Sequence, residues 1–337
     1  MMLAPDPDEE ALHGGPDARG AALHDFSTNA NACGPCPMAL QALAQVDPAR
    51  YPDPRSTALR EALGRFHGVA PERIVIAASA SEFIARITAA VAQRGGRKVW
   101  LPLHSYGDYG RAAEAWGLDV RREPDGPAGS ALLWCSDPSS PLGEAQPGFG
   151  FLVDALALRT PCVLDLAYEP LRLEGRLEFD AEQKDRVWQL WTPNKALGLT
   201  GVRAAYAIAP LEAAGMVQRL IRLAPSWPLG AHGVALLEAW TLSETQDWLA
   251  ASLDRLRDWK REQQALCTEL GWAVLPSVAN YFCARPDVPY APRAAALRAA
   301  GIQLRDARSF DLPGHVRLSV LPPASQAALG RAWQAAR

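Results

Sequence analysis

Thr192-Pro193-Asn194-Lys195 closes the apolar run Val187-Trp188-Gln189-Leu190-Trp191, and Arg203 follows eight residues after the lysine. About thirty residues upstream of the lysine, Pro161-Cys162-Val163-Leu164 runs into Asp165-Leu166-Ala167-Tyr168. Both runs have strand length and stop at polar side chains, as a buried strand does when it delivers functional groups beyond its carboxyl end. Further candidates of this kind are Ile74-Val75-Ile76, Lys98-Val99-Trp100-Leu101, Leu132-Leu133-Trp134-Cys135 and Ala204-Ala205-Tyr206-Ala207. Helical patterns lie between them, for example over 81–90. The alternation predicts an α/β chain whose mostly parallel sheet is covered on both faces.

The flanks differ in texture. Residues 1–35 are rich in Gly, Pro and Asn and are expected to form an N-terminal arm, with a large domain over 36–230. Leu59, Leu63 and Phe66 recur there at helical spacing. A smaller α+β domain is expected over 231–337, with one or two long helices in 233–270, a strand at Asn280-Tyr281-Phe282-Cys283, a helix over 291–300 and a strand at Val316-Arg317-Leu318-Ser319-Val320. With 337 residues, 49% of them hydrophobic and 21% charged, the composition is that of an ordinary globule. A formal charge of -3 without a Lys/Arg tract speaks against a nucleic-acid partner. No apolar stretch approaches membrane-spanning length and the start lacks a signal-peptide profile, so no membrane partner and a cytoplasmic address are expected. Six cysteines in a chain this long do not suggest a disulfide scaffold. Cys33-Gly34-Pro35-Cys36 follows a polar stretch and precedes a helix starting near Pro37, outside a short βαβ unit, which makes it a structural turn. The six histidines form no ligand cluster with the cysteines, so no metal is implied.

The chemistry follows from the strand ends. A carboxylate such as Asp165 can pair with a protonated pyridine nitrogen, and Tyr168 can reach a phenolate oxygen on the same ring. A lysine that attacks a carbonyl must give up its proton, which desolvation or nearby cations favour, and Lys195 is placed for that role. Thr192 and Asn194 can donate hydrogen bonds to a phosphate, and Arg203 can hold it as a fork. In Ala77-Ala78-Ser79-Ala80-Ser81-Glu82, small residues let the amides at Ala80 and Ser81 approach an anion at a helix start. Tyr106, beyond another strand, is the choice for an aromatic ring stacked on the pyridine. Arg317 lies in an apolar strand, where an unpaired guanidinium is costly, and is the candidate receptor for a substrate carboxylate. This inventory is the one pyridoxal phosphate requires.

At these residues the chain resembles the fold-type-I pyridoxal-phosphate superfamily, and more closely the branch of histidinol-phosphate aminotransferases and threonine-phosphate decarboxylases. His13-Gly14-Gly15, Asp25-Phe26-Ser27 through Asn29, Asn31 and Gly34-Pro35 are similar to the N-terminal pattern of the decarboxylases. Residues 301–317, with Arg305-Asp306, Phe310 and Leu312-Pro313-Gly314, are similar to their C-terminal pattern. The resemblance implies a seven-stranded sheet, a homodimer, and a tyrosine in Tyr51-Pro52-Asp53-Pro54 offered to the neighbouring subunit's cofactor phosphate. It makes His13 and Arg305 candidates for a second anion site that takes the substrate's own phosphate. It also implies decarboxylation of L-threonine O-3-phosphate to (R)-1-amino-2-propanol O-2-phosphate for cobalamin biosynthesis. The alternatives are a histidinol-phosphate-type aminotransferase and a non-catalytic cofactor-binding scaffold. Two segments depart from the pattern. Asp137-Pro138-Ser139-Ser140-Pro141-Leu142-Gly143 stands where the branch usually has Asn-Pro-Asn-Asn-Pro-Thr-Gly, so Ser140 takes the place of an asparagine that touches the phenolate oxygen. Ala78-Ser79 replaces the usual Asn-Gly.

Overall fold

The structure is a computed structural model that describes residues 14–146, 148–155 and 160–336. His13 and the rest of 1–13 lie outside the described residues. Seven strands form one sheet in the order Ile74–Ala77, Ala205–Ile208, Trp188–Trp191, Cys162–Asp165, Leu132–Ser136, Lys98–Leu101, Asp119–Arg122. Ala205–Ile208 runs against both neighbours, and the other adjacent pairs are parallel. The expected α/β sheet is therefore present. Its edge strand Asp119–Arg122 had no apolar run to announce it, because its side chains alternate between exposed and half-buried. Short, charged edge strands discourage pairing with other chains.

Strand residues alternate between the two faces, as the period of two requires. Val75, Ala77, Ala205 and Ala207 face a core shared with the helices Ala80–Ala92, Gly107–Ala115 and Ala214–Leu223. Ile74, Ile76, Tyr206 and Ile208 face the opposite core, with Leu63 and Leu236 from helices Thr57–His67 and Ala231–Trp240. That second core continues into the C-terminal part, where Phe282, Val316, Leu318 and Trp333 join it. There Arg305–Asp306, Val316–Ser319, Tyr281–Arg285 and Ala273–Val274 form an antiparallel four-stranded sheet. The expected long helical stretch is two helices, Ala231–Trp240 and Ser243–Glu269.

The N-terminal segment is no loose arm where it is described. His24–Asp25 pairs in parallel with Ile302–Gln303, and the Ser319 amide donates to the Phe26 carbonyl at 2.8 Å. Residues far apart in sequence thus share one wall. The Cys33–Cys36 turn also has a structural task. A Cβ on Gly34 would come within 2.9 Å of the Gly198 Cα, so two backbones cross where only glycine fits. Around that crossing the Asn31 amide donates to the Lys195 carbonyl and the Cys36 amide to the Leu197 carbonyl, both at 2.9 Å. The turn clamps the lysine loop from behind. All six cysteines are free.

Candidate active site

At the carboxyl end of the central strands a cavity of about 270 Å³ brings together Ala80, Ser81, Tyr106, Ser140, Asp165 and Tyr168. Thr192, Asn194, Lys195, Arg203, Arg305 and Arg317 line the same cavity. Asp165 ends its strand and is buried. Its Oδ2 accepts from the Tyr109 hydroxyl at 2.6 Å and its Oδ1 from the Ala167 amide at 2.9 Å. Burial pushes the Asp165 carboxyl up, while the Tyr109 hydroxyl, the Ala167 amide and the Lys195 charge pull it back. Lys195 Nζ stands 5.0 Å from the centre of the Tyr168 ring, and the Tyr168 hydroxyl accepts from Asn29 Nδ2 at 3.4 Å.

The anion-binding corner is built from a helix start. Ser79 caps helix Ala80–Ala92 by accepting from the Glu82 amide at 3.1 Å. The first amides of any helix lack intrahelical acceptors, so those of Ala80 and Ser81 are available at the cavity wall. Ser81 Oγ lies 3.5 Å from the Tyr106 hydroxyl, and Tyr106 donates to Asp108 Oδ2 at 2.9 Å. Burial holds the Tyr106 phenol well above its usual range. Arg203 is exposed at the cavity rim. Thr192 and Asn194 bond to one another, Oγ1 donating to Oδ1 at 2.8 Å, and Asn194 Nδ2 donates to the Thr200 carbonyl at 3.4 Å. They brace the lysine loop while still lining the cavity.

The opposite wall comes from the C-terminal sheet. Arg305 and Arg317 face each other across adjacent antiparallel strands, both buried. Their guanidiniums flank one ring, 5.1 and 5.3 Å from the centre of Phe310. Burial, reinforced by the Arg317 charge, brings Arg305 down to about 10. Arg317 donates to Ser140 Oγ at 3.4 Å and to the Ser27 carbonyl at 3.2 Å. The departure at Ser140 thus gives the position a contact with an arginine. Gly14 completes this wall, and a Cβ there would meet the Ser27 carbonyl oxygen at 2.2 Å.

Two expected contributors stand apart. Tyr51 is 80% exposed and lies outside the cavity, stacked on Trp227 at 4.5 Å. His13 falls outside the described residues. Tyr109, beyond the same strand as Tyr106, was passed over for Tyr106 in the stacking role, and the structure puts both near the start of one helix. Asn29 was visible only as part of a motif.

The residues fit pyridoxal phosphate. A carboxylate, a lysine, a phenol and a helix start converge on one space. Buried Asn29 Oδ1 and Arg317 Nε have no partner among the described residues and remain to serve a bound molecule. No group of acids, histidines or cysteines among the described residues could hold a metal ion. No described helix is long and apolar enough to cross a membrane. Fold and site together define a pyridoxal-phosphate enzyme of fold type I.

Comparison with known proteins agrees. The chain belongs to the family of aminotransferases of class I and II, matched over residues 22–335. It is 30% identical over 345 residues to histidinol-phosphate aminotransferase 2 of Caulobacter vibrioides, covering 95% of this chain and 88% of that protein. It is also 30% identical over 319 residues to histidinol-phosphate aminotransferase 1 of Bradyrhizobium diazoefficiens, covering 88% and 87%. Among solved structures, histidinol-phosphate aminotransferase from Sinorhizobium meliloti superposes with a TM-score of 0.82 at 22% identity, covering 99% and 98%. L-threonine-O-3-phosphate decarboxylase from Porphyromonas gingivalis superposes at 0.71 and 20%, covering 88% and 93%. Those structural likenesses establish the fold. The sequence relatives place the chain in the histidinol-phosphate aminotransferase branch.

Proposed function

We propose that this enzyme moves the amino group of a small phosphorylated amine, in the manner of a histidinol-phosphate aminotransferase. The observation that carries this reading is the 30% identity along 95% of the chain to such an enzyme. When bound, pyridoxal phosphate supplies an electron-withdrawing ring that takes up the electron pair left at the substrate's α carbon. Asp165 would hold the ring nitrogen protonated, and Tyr168 would contact the ring's phenolate oxygen. The amides of Ala80 and Ser81, with Arg203, hold the cofactor phosphate. Lys195 Nζ would hold the cofactor and, when not doing so, would carry the proton that leaves the substrate's α carbon. Arg317 and Arg305 take the anionic groups of the substrate and of a 2-oxo acid acceptor.

One observation favours a second reading, decarboxylation of L-threonine O-3-phosphate. Arg305 and Arg317 face one small cavity from adjacent strands. That pair suits a carboxylate and a phosphate on a single short skeleton, whereas histidinol phosphate carries no carboxylate. In this reading Arg317 would hold the carboxylate that leaves as carbon dioxide, and Lys195 would return a proton to the α carbon. The test is turnover with and without an acceptor. Loss of histidinol phosphate only when 2-oxoglutarate is present supports transamination. Aminopropanol phosphate and matching carbon dioxide from L-threonine O-phosphate alone, with every oxo acid omitted, replaces it with decarboxylation. No turnover of either leaves a cofactor-binding scaffold.

The site is completed by a second copy of the chain. Tyr51, exposed and outside its own cavity, reaches the partner's cofactor phosphate. A homodimer by sedimentation, with weaker cofactor binding in Tyr51→Ala, supports this; a monomer that binds cofactor fully overturns it.

A further inference from the structure

One contact in the cavity wall, between Tyr109 and Asp165, has no part in the roles above. Tyr109 is fully buried on helix Gly107–Ala115, and its hydroxyl donates to Asp165 Oδ2 at 2.6 Å. Its ring is stacked on Trp134 at 4.4 Å with 11° between the planes. Trp134 is itself fully buried in strand Leu132–Ser136, next to the strand that ends at Asp165. Tyr106 also meets Tyr109 edge-on at 5.7 Å. The phenol is therefore fixed in direction by two aromatic neighbours, and the hydrogen bond to Asp165 is fixed with it.

We propose that Tyr109 is a positioning residue that keeps Asp165 ionised and oriented, and so sets how fully the ring nitrogen of the bound cofactor is protonated. A carboxylate buried in protein tends to take up a proton, and a carboxyl group that has done so no longer stabilises a pyridinium. Hydrogen-bond donors to the charged form oppose that tendency. Among the described residues Asp165 has two, the Tyr109 hydroxyl on one oxygen and the Ala167 amide on the other. The amide is fixed by the fold. The hydroxyl is the one a side chain supplies, and it faces an oxygen that retains a second lone pair for the cofactor. Burial and the neighbouring carboxylate hold the Tyr109 phenol far above its usual range, so it stays a donor at every working pH. The inference rests on Asp165 being the partner of the ring nitrogen.

Cofactor labelled with ¹⁵N in the ring is bound to wild-type enzyme and to Tyr109→Phe, Asp165→Asn and a variant with 3-fluorotyrosine at 109. The protonation of the ring nitrogen is then read by NMR across pH. Tyr109→Phe keeps the ring and its stack on Trp134 while removing the donor. It is expected to lower the protonated fraction toward that of Asp165→Asn and to weaken cofactor binding about tenfold. The fluorinated tyrosine, a stronger donor of nearly the same shape, is expected to move the fraction the other way. Tyr109→Phe that matches wild type while Asp165→Asn differs overturns the role of Tyr109 alone. Asp165→Asn that matches wild type overturns the Asp165 assignment, and the role of Tyr109 with it. If Tyr109→Phe fails to fold, the fluorotyrosine protein decides the matter: an unmoved fraction overturns the proposal and a raised one supports it.

Discussion

At one end of the cavity the charged groups belong to a rigid parallel sheet: Asp165 ends its strand, Lys195 sits on a clamped loop and Arg203 is exposed at the rim. At the other end Arg305 and Arg317 are buried and directly opposed across an antiparallel pair. Like charges facing each other in a sheet repel, and burying them adds a desolvation cost. The first end resembles a socket finished before anything enters. The second holds positive charge that an anionic substrate would offset. Substitutions at the two ends should therefore fail in different ways.

The largest effect is expected at the lysine. Lys195→Ala should lower kcat about a thousandfold or more while the protein still binds cofactor, as absorbance and turnover will show. The next acts behind the same end. His67 packs on Trp191 at 4.9 Å and its Nε2 lies 2.7 Å from the Tyr206 hydroxyl. Trp191 and Tyr206 are opposed across neighbouring strands, and Trp191 leads into Thr192. Burial holds His67 down to about 4, whereas an unfolded histidine titrates near 6.5. The unfolded chain thus binds the extra proton between those values, and stability falls as pH drops from about 6.5 toward 4. The loss attributable to His67 approaches about 3 kcal/mol at the lower limit. Urea titrations of wild type and His67→Gln should show a shallower pH slope in the variant.

Arg317→Gln tests the small-domain end. It should cut kcat/KM about a hundredfold and leave cofactor affinity unchanged if the guanidinium holds the substrate as proposed. A fall in cofactor affinity instead would erase the distinction between the two ends. Arg203→Gln should do the reverse, weakening cofactor binding about tenfold with a smaller change in substrate KM, because its exposure screens its charge. Ser140→Ala is the mildest, with KM rising by about threefold or less, given that its bond to Arg317 is 3.4 Å long.

The two ends also differed in how legible they were. Asp165, Tyr168 and Lys195 could be read because each follows an apolar run that is buried in full or in all but its last residue, and such strands announce their ends. The edge strand Asp119–Arg122 could not, since half its side chains meet solvent and its composition is that of a loop. Arg317 stood out as a charge in an apolar strand, but its opposition to Arg305 depends on strand register, which no local pattern records. Tyr109 escaped for a similar reason. A tyrosine on a helix seen only in sequence has no visible partner until strand Cys162–Asp165 is placed beside it. Thr192 and Asn194 could be read as donors to a phosphate; both line the cavity, and their mutual hydrogen bond shows that part of their work is holding the loop.

The pairing of His24–Asp25 with Ile302–Gln303, and the bond from Arg317 to the Ser27 carbonyl across 290 positions of sequence, bear on how the enzyme is made. Chains emerge from the ribosome N-terminus first, and residues 14–27 leave the exit tunnel long before their partners are synthesised. Until then Phe26 has no C-terminal core to enter, and the cavity lacks one of its walls. A premature stop just before the strand Val316–Ser319 removes both arginines' setting at once. Such a product would keep the lysine and the cofactor socket but have nothing to grip a substrate, a ready source of reactive cofactor without selectivity.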